Sequence, residues 1–192
     1  ALICNRYRMD APLSQLVEEF GAEAGVEPGR LPEPELFPKR LAWIVRNDGG
    51  GGREAVAVQW GIASPKGGAP VTNVRNLASP FWRSSLARTD RRCLVPVTRF
   101  CEWEGAKGSK VARWFSVPSE PLFAFAGLWR PSAEGDRFAF LTCEPNPLVA
   151  PIHPKAMPVV LGLEERNSWL TDSWDDAQLA VVPFPSQLMA VE

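Results

Sequence analysis

Apolar residues alternate with polar ones in many short runs along the chain, a period typical of strands that bury one face. Nineteen prolines and fifteen glycines separate these runs, so few long helices are possible. A four-glycine run at 49–52 lies between two of them and predicts a hairpin connection. The runs predicted as strands are 41–45, 55–60, 93–97, 113–117, 122–128, 138–142, 158–161 and 179–183.

Helical spacing of apolar residues occurs early in the chain and again near its end. Leu13, Leu16, Val17 and Phe20 recur at this spacing and predict a helix over 12–20, and a second is predicted over 164–170. Many short strands with few helices indicate an α+β, mainly-β protein. We expect a curved or barrel-like antiparallel sheet with a few flanking helices, in one domain spanning residues 1–192.

Composition and charge narrow the function classes. The chain is 45% hydrophobic and 22% charged, which is ordinary for a globular protein. Its apolar runs are too short to span a bilayer, and it lacks a signal-peptide pattern, so a cytoplasmic protein without membrane partners is expected. Residues 75–113 contain nine Lys/Arg but only three Asp/Glu. This block indicates either a basic face for a polyanion or a solvated loop surface, and charge alone favours neither.

The cysteines and the histidine exclude common metal and disulfide sites. Cys4, Cys93, Cys101 and Cys143 are widely spaced, and His153 is the one histidine. No C-x-x-C pair is present, so neither a zinc site nor a disulfide framework is predicted. Three of these cysteines are expected to be small buried hydrophobes, with Cys4 as the exception. No metal or organic cofactor is implied.

Six short motifs occur in a fixed order from Cys4 to about Leu170. In that order and at these separations they resemble the SOS response-associated peptidase (SRAP) family. The motifs are 4–7 (CNRY), 73–76 (NVRN) with 79–82 (SPFW), 92–96 (RCLVP), 100–103 (FCEW), 125–129 (FAGLW) and 152–158 (IHPKAMP).

The resemblance implies covalent capture of abasic sites in single-stranded DNA. Family members expose a cysteine at the mature N-terminus, and this cysteine condenses with the ring-opened aldehyde of the sugar. Its α-amine, with a pKa near 7.7–8.0, is substantially neutral in the cell and attacks the aldehyde. The adjacent thiol then closes a thiazolidine ring, a step favoured by proximity. The damaged strand is therefore the expected partner, bound by a monomer.

The resemblance also assigns roles to particular residues. Cys4 is the implied nucleophile, and Glu102 is the implied general acid/base near its amine. His153 protonates the sugar ring oxygen as the ring opens. Asn73 orients the opened sugar or the cysteine.

Arginines and tryptophans supply the implied DNA contacts. Arg6 and Arg75 match arginines that contact the DNA backbone, and Arg83 and Arg92 are predicted to join that basic path. Most of the eight tryptophans, including Trp60, Trp103 and Trp129, are predicted to pack in the core. One or two exposed rings would stack on unpaired bases.

The chain departs from the family pattern at two places. Residues 1–3 precede Cys4, so its nitrogen is an amide as the sequence is written. A tag remnant, a self-cleaved leader and an inactive N-terminus are the three explanations. The segment 62–68 after Gly61 has no aromatic residue, although many relatives carry tryptophans there that wedge between bases. We therefore expect a weaker preference for DNA with a duplex junction beside the lesion.

Two other functions fit parts of the pattern. Cys4, His153 and Glu102 or Asn73 resemble the nucleophile, base and orienting group of a cysteine peptidase that acts on other proteins. The basic middle segment and the tryptophans also suit a module that binds single-stranded DNA without covalent chemistry.

Overall fold

The computed structural model describes residues 4–25 and 31–192. Its helices are α1 Leu13–Phe20, α2 Pro80–Leu86, α3 Leu163–Thr171 and α4 Trp174–Ala177, with 3₁₀ turns at Gln178–Ala180 and Ser186–Leu188. Its strands are β1 Tyr7–Arg8, β2 Glu23–Ala24, β3 Glu35–Leu36, β4 Leu41–Asn47, β5 Arg53–Trp60, β6 Asn73–Val74, β7 Arg92–Val97, β8 Arg99–Glu104, β9 Val111–Ser116, β10 Phe123–Arg130, β11 Arg137–Cys143, β12 Met157–Pro158, β13 Val160–Leu161 and β14 Ala190–Val191.

The five longer strands β5, β4, β7, β10 and β11 form a closed ring. Successive strands pair antiparallel around it, and β11 then pairs with β5 in parallel, so that Phe138 lies opposite Trp60. Short strands extend this sheet, with β2 on β5, β6 and β12 on β11, and β13 on β10. The predicted barrel-like, mainly-β fold is confirmed, with a few parallel pairs that the prediction did not include.

The hairpin between β4 and β5 shows how local chemistry sets the strand register. Asp48 accepts hydrogen bonds from the backbone N–H of Gly50 at 2.7 Å and of Gly52 at 3.0 Å. Glycine adopts the positive φ of Gly49 and Gly51 without steric cost. The glycine run therefore forms the predicted hairpin.

A second sheet, ordered β14-β9-β8-β1-β3, packs on the ring. Tyr7 on β1 contacts the rings of Trp60, Phe125 and Phe140 at centroid distances of 5.2, 5.8 and 6.1 Å. Phe100 on β8 contacts Phe125 at 5.6 Å. These edge-to-face contacts make one aromatic core out of both sheets and hold the N-terminal segment against the ring.

Helix α3 covers the outside of β7. The indole N–H of Trp169 donates to the carbonyl of Cys93 on β7 and to that of Gly127 on β10, both at 3.0 Å. The side chain thus links the helix to both strands. A Cβ at Gly127 would lie 2.8 Å from Val95 and 2.9 Å from Cys93. A side chain at position 127 would therefore force these strands apart.

Most of the predicted elements are confirmed. Both predicted helices form, as do seven of the eight predicted strands, the run 158–161 as two short ones. The strand predicted at 179–183 is wrong, because this segment is a 3₁₀ turn followed by irregular backbone. Strand β8 and helix α2 were not predicted. Among the described residues, no helix is both long and apolar enough to cross a membrane.

Candidate active site

The ladder between β1 and β8 brings the N-terminal segment to Glu102. The Arg6 carbonyl accepts the Cys101 N–H at 3.0 Å, which continues the antiparallel register toward the N-terminus. The Glu102 carboxyl lies close enough to the backbone N–H of Cys4 for that N–H to lower its pKa. Cys4 and Glu102 are therefore neighbours, although they lie far apart in the sequence.

Glu102 is a buried acid that has no ion pair among residues 4–25 and 31–192. Its side chain is on the interior face of β8, the residue is 1% exposed, and its Oε1 has no hydrogen-bond partner among the described residues. Burial raises the pKa of Glu102 to about 8, and the Cys4 N–H offsets part of that rise. The carboxyl is therefore mainly protonated at neutral pH and available as a proton donor.

The Cys4 thiol is also buried and protonated. Its sulfur donates to the Arg6 carbonyl at 3.7 Å. Burial and the neighbouring Glu102 carboxyl raise the pKa of Cys4 well above its usual value. The other three cysteines are buried free thiols as predicted, and burial raises the pKa of Cys101 to about 11 and of Cys143 to about 12. No resident thiolate is present among them at neutral pH.

Asn73 begins the short strand β6, which pairs in parallel with β11 and lies opposite Phe140. Its side chain is half-buried, and its amide nitrogen donates to the Thr72 carbonyl at 3.2 Å. That carbonyl also accepts the indole N–H of Trp60 at 3.1 Å. The ring of strands thus fixes the backbone of Asn73, and its side-chain oxygen remains available as an acceptor.

His153 lies in the loop that joins β11 to β12. Asn146 anchors this loop, because its side-chain oxygen accepts the N–H of Val149 at 3.0 Å and its amide donates to the Phe184 carbonyl at 2.7 Å. The Ala156 N–H donates to Nδ1 of His153 at 3.3 Å, which assigns the proton of the neutral ring to Nε2. Burial lowers the pKa of His153, so the ring is neutral near pH 7.

The structure brings together two of the four predicted residues. Cys4 and Glu102 adjoin on the second sheet, whereas Asn73 lies on β6 and His153 lies in the loop that follows β11. The rings of Tyr7 and Phe140, 6.1 Å apart, connect the N-terminal segment to the part of β11 opposite Asn73. Neither Asn73 nor His153 hydrogen-bonds to Cys4 or Glu102 within residues 4–25 and 31–192.

The predicted DNA-contacting arginines differ in their surroundings. Arg75 and Arg83 are exposed, and neither has an ion-pair partner in the described part of the chain. Arg75 also lowers the pKa of the buried Cys143 thiol, which places its guanidinium close to the end of β11. Arg6 instead pairs with Glu35, so a phosphate would have to compete with that carboxylate.

Arg92 corrects one prediction. It is fully buried, and its guanidinium donates to the carbonyls of Trp169, at 2.8 Å, and Asp172. Both carbonyls belong to the C-terminal end of α3, where carbonyls have no partner within the helix. Arg92 therefore caps a helix and does not belong to a surface path for DNA.

Trp103 corrects a second prediction. Trp60 is fully buried, as predicted, and Trp129 is half-buried, but Trp103 is 36% exposed. Since side chains alternate along a strand, the burial of Glu102 turns Trp103 to the opposite face. The FCEW motif carries no local signal for this, because its interior-facing position is a glutamate.

The exposed face of the second sheet alternates cations and rings. The Arg6 guanidinium lies 5.5 Å from the ring centroid of Trp103, 4.9 Å from that of Trp114 and 5.6 Å from that of Phe37. The Arg99 guanidinium also lies 4.9 Å from the ring centroid of Trp114. Such an arrangement holds the rings rigidly and leaves Trp103 partly open to solvent. No group of three or more potential metal ligands occurs among the described residues.

Comparisons with known proteins place the sequence in a family. The sequence profile described as SOS response associated peptidase (SRAP) matches residues 3–192. A relative from Bacillus subtilis (strain 168), named abasic site processing protein YoaM, is 26% identical over 97% of this chain and 88% of its own length.

Solved structures share the fold. A protein from Bordetella bronchiseptica superposes with a TM-score of 0.81 at 22% identity, covering 98% of both chains. A protein from Bacteroides thetaiotaomicron superposes with a TM-score of 0.82 at 21% identity, over 98% of this chain and 90% of its own. A phage-related protein from B. bronchiseptica gives 0.75 at 17% identity, over 98% and 93%.

Proposed function

Because the chain belongs to the SOS response associated peptidase (SRAP) family, we propose that it acts on abasic sites in DNA and captures them covalently through Cys4. The name of the B. subtilis relative supports the substrate class. The observation that carries the proposal is the buried carboxyl of Glu102 next to the Cys4 nitrogen, where burial raises its pKa to about 8.

That nitrogen must first become an amine. Residues 1–3 lie outside the described part of the chain, and their removal requires hydrolysis of the bond between residues 3 and 4. Water adds to the carbonyl carbon, the C–N bond breaks, and the leaving nitrogen takes up a proton. Glu102 is the donor that the site offers, since its carboxyl is protonated near neutral pH and lies at that nitrogen.

Capture then uses the amine before the thiol. The amine adds to the aldehyde to give a carbinolamine, which loses one water to form an iminium ion. The thiol adds to the C=N bond and releases its proton, which closes the thiazolidine ring. The raised pKa of the Cys4 thiol suits this order, because the attacking group at the start is the amine and not a thiolate. Glu102 protonates the hydroxyl that leaves as water, and it takes up a proton again when the thiol releases one on ring closure.

Asn73 and His153 act on the sugar in this proposal. The neutral His153 ring carries its proton on Nε2, so it donates a hydrogen bond to the ring oxygen as the sugar opens. The side-chain oxygen of Asn73 accepts from a sugar hydroxyl or from the cysteine amine. Both residues are held by backbone hydrogen bonds, which keeps the geometry fixed before the substrate arrives.

The DNA strand would bind across exposed arginines and one exposed aromatic ring. Arg75 and Arg83 have no ion pair with a described residue to break before binding a phosphate, unlike Arg6. Trp103 follows Glu102 in the chain and offers an open ring face for an unpaired base. The protein expected in solution is a monomer of cytoplasmic location, and both statements stay predictions.

The test begins with the mass of the purified protein. A species that starts at Cys4 supports processing. That species is incubated with a single-stranded oligonucleotide that carries one abasic site, and a heat-stable band of slower mobility is expected. Cys4→Ala should abolish the band, whereas Cys143→Ala, which removes another buried thiol, should leave it unchanged.

Three results would contradict the proposal. One is the absence of any adduct when Cys4 is confirmed at the terminus. A second is an adduct that persists in Cys4→Ala. A third is turnover of unrelated peptides by the processed protein without an adduct, which would support a peptidase acting on other proteins.

A further inference from the structure

An apolar groove on the C-terminal segment takes no part in the proposed chemistry. We call it the C-terminal groove; its volume is about 360 Å³, and Val160, Val182, Phe184 and Leu188 line it together with Glu120 and Glu165. None of the residues of the candidate active site lines it. A groove of this size holds a few side chains of a ligand.

Exposed apolar side chains concentrate around this groove. Eight large apolar residues are at least 36% exposed in the described part of the chain, and four of them belong to this segment: Leu163 at 58%, Leu179 at 73%, Val182 at 53% and Leu188 at 48%. Single exposed apolar residues are common, but a contiguous cluster marks a binding surface.

The charges at the groove have one sign. Residues 164–192 contain six acids and one base, and Glu120 and Glu165 are in the lining. Glu120 Oε2 is buried without a hydrogen-bond partner among the described residues, and neither glutamate forms an ion pair there. Since the charged residues in the lining are all acidic, the groove is suited to a ligand that carries a positively charged group.

We propose that the C-terminal groove binds a short protein segment that carries leucine-like side chains beside a lysine or arginine. The apolar side chains fill the groove, and the cation pairs with Glu120. A nucleic acid is the wrong ligand here, because its phosphates would face carboxylates. This inference does not depend on the reaction at Cys4.

The probe is a fluorescein-labelled ten-residue peptide of alternating leucine and arginine, measured by fluorescence anisotropy on the full chain. Two matched peptides replace all arginines with glutamate or all leucines with serine. We expect saturable binding of the first peptide and at least tenfold weaker binding of both others. Amide NMR shifts should change at 179–188 and not at β8.

Protein variants identify the site. The double variant Leu179→Ser and Val182→Ser removes two exposed side chains and should weaken binding at least tenfold, as should Glu120→Gln. The matched control is Val111→Ser, which removes an equally exposed side chain from β9 and should bind like the parent. Thermal melting checks that each variant is folded. If the double variant is unfolded, the affinity of Glu120→Gln for the peptide tests the site instead.

Three outcomes would overturn the proposal. The basic peptide fails to bind, or it binds the double variant and Glu120→Gln as tightly as the parent. Alternatively, sedimentation velocity shows self-association of the parent that the double variant abolishes, and the occupant is then a second copy of the chain.

Discussion

The two faces of β8 differ in which type of side chain they carry: the interior face carries a charged residue and the exposed face an aromatic one. On the interior face Glu102 is buried and pairs with no cation in the described part of the chain, and on the exposed face Trp103 lies partly open beside Arg6. Consecutive residues thus have inverted surroundings, with the charged type inside and the aromatic type outside. A sequence optimised for stability alone would reverse the two.

This inversion separates two tasks. A carboxyl needs a low-dielectric environment to keep a proton at neutral pH, and the interior face provides it. An aromatic ring needs an open face to stack on a base, and the exposed face provides that. We therefore expect changes at Glu102 to affect the rate of adduct formation and changes at Trp103 to affect DNA affinity.

The largest expected effect is that of Glu102→Gln on rate. The amide keeps the shape of the carboxyl, but it cannot donate a proton as an acid does. We expect the rate of adduct formation at saturating DNA to fall by at least about 100-fold. Gel-shift time courses with protein already processed at Cys4 measure this rate.

The matched control is Glu104→Gln on the same strand. Glu104 is half-exposed and pairs with Arg113, so its substitution should leave the rate unchanged. Equal losses in both variants would show that the loss comes from charge or strand stability, and the comparison between the two faces would fail.

The next largest effect is on the pH dependence of the free energy of unfolding. Because the folded-state pKa of Glu102 is raised from 4.5 to about 8, the native state holds a proton that the unfolded state releases between these values. The stability associated with the protonated carboxyl is complete below pH 4.5 and is lost as pH rises toward 8. We therefore compare the free energies of unfolding of Glu102→Gln and the parent. The difference should shift in favour of the variant by about 3 kcal/mol from pH 5 to pH 8.

Urea unfolding at both pH values measures this difference. A constant difference between the two proteins across the pH range would mean that Glu102 is ionised in the native state, and the proton-donor role would then be lost.

Sequence patterns predicted the barrel better than they predicted β8. Strands such as β4 and β10 carry apolar residues on both faces, so a run of apolar residues is enough to predict them. In β8 the buried position is a glutamate, so the alternation of apolar residues is broken where the function requires it. The FCEW motif identified Glu102 by resemblance, whereas its neighbour Trp103 was wrongly assigned to the core.

The other errors have physical causes of the same kind. The run 179–183 is apolar enough for a strand, but Leu179 and Val182 point to solvent and find no pairing partner. Arg92 was predicted to be exposed because arginine is rarely buried. Its burial depends on the end of α3, about 80 residues further along, and no local pattern reports such a long-range contact.

A third prediction tests the exposed face. Trp103→Ala should weaken binding to undamaged single-stranded DNA by about 1–3 kcal/mol, the value of one stacked base, while the adduct rate at saturating DNA stays within twofold. Trp103→Phe should recover most of the affinity. A Trp103→Ala variant with normal affinity but a lowered rate would assign Trp103 to the interior chemistry instead.

The smallest effect distinguishes the surface arginines from the buried one. Arg75→Ala should reduce the slope of log affinity against log salt by about 0.7, the value for one phosphate contact on a single strand. Arg92→Met should leave that slope unchanged but lower the free energy of unfolding by about 1–3 kcal/mol, because the last carbonyls of α3 lose their donor. Salt titrations and urea unfolding of both variants measure the two quantities. If Arg92→Met changed the slope and Arg75→Ala did not, the phosphate path would run on the α3 side of the barrel, and its assignment to the end of β11 would be wrong.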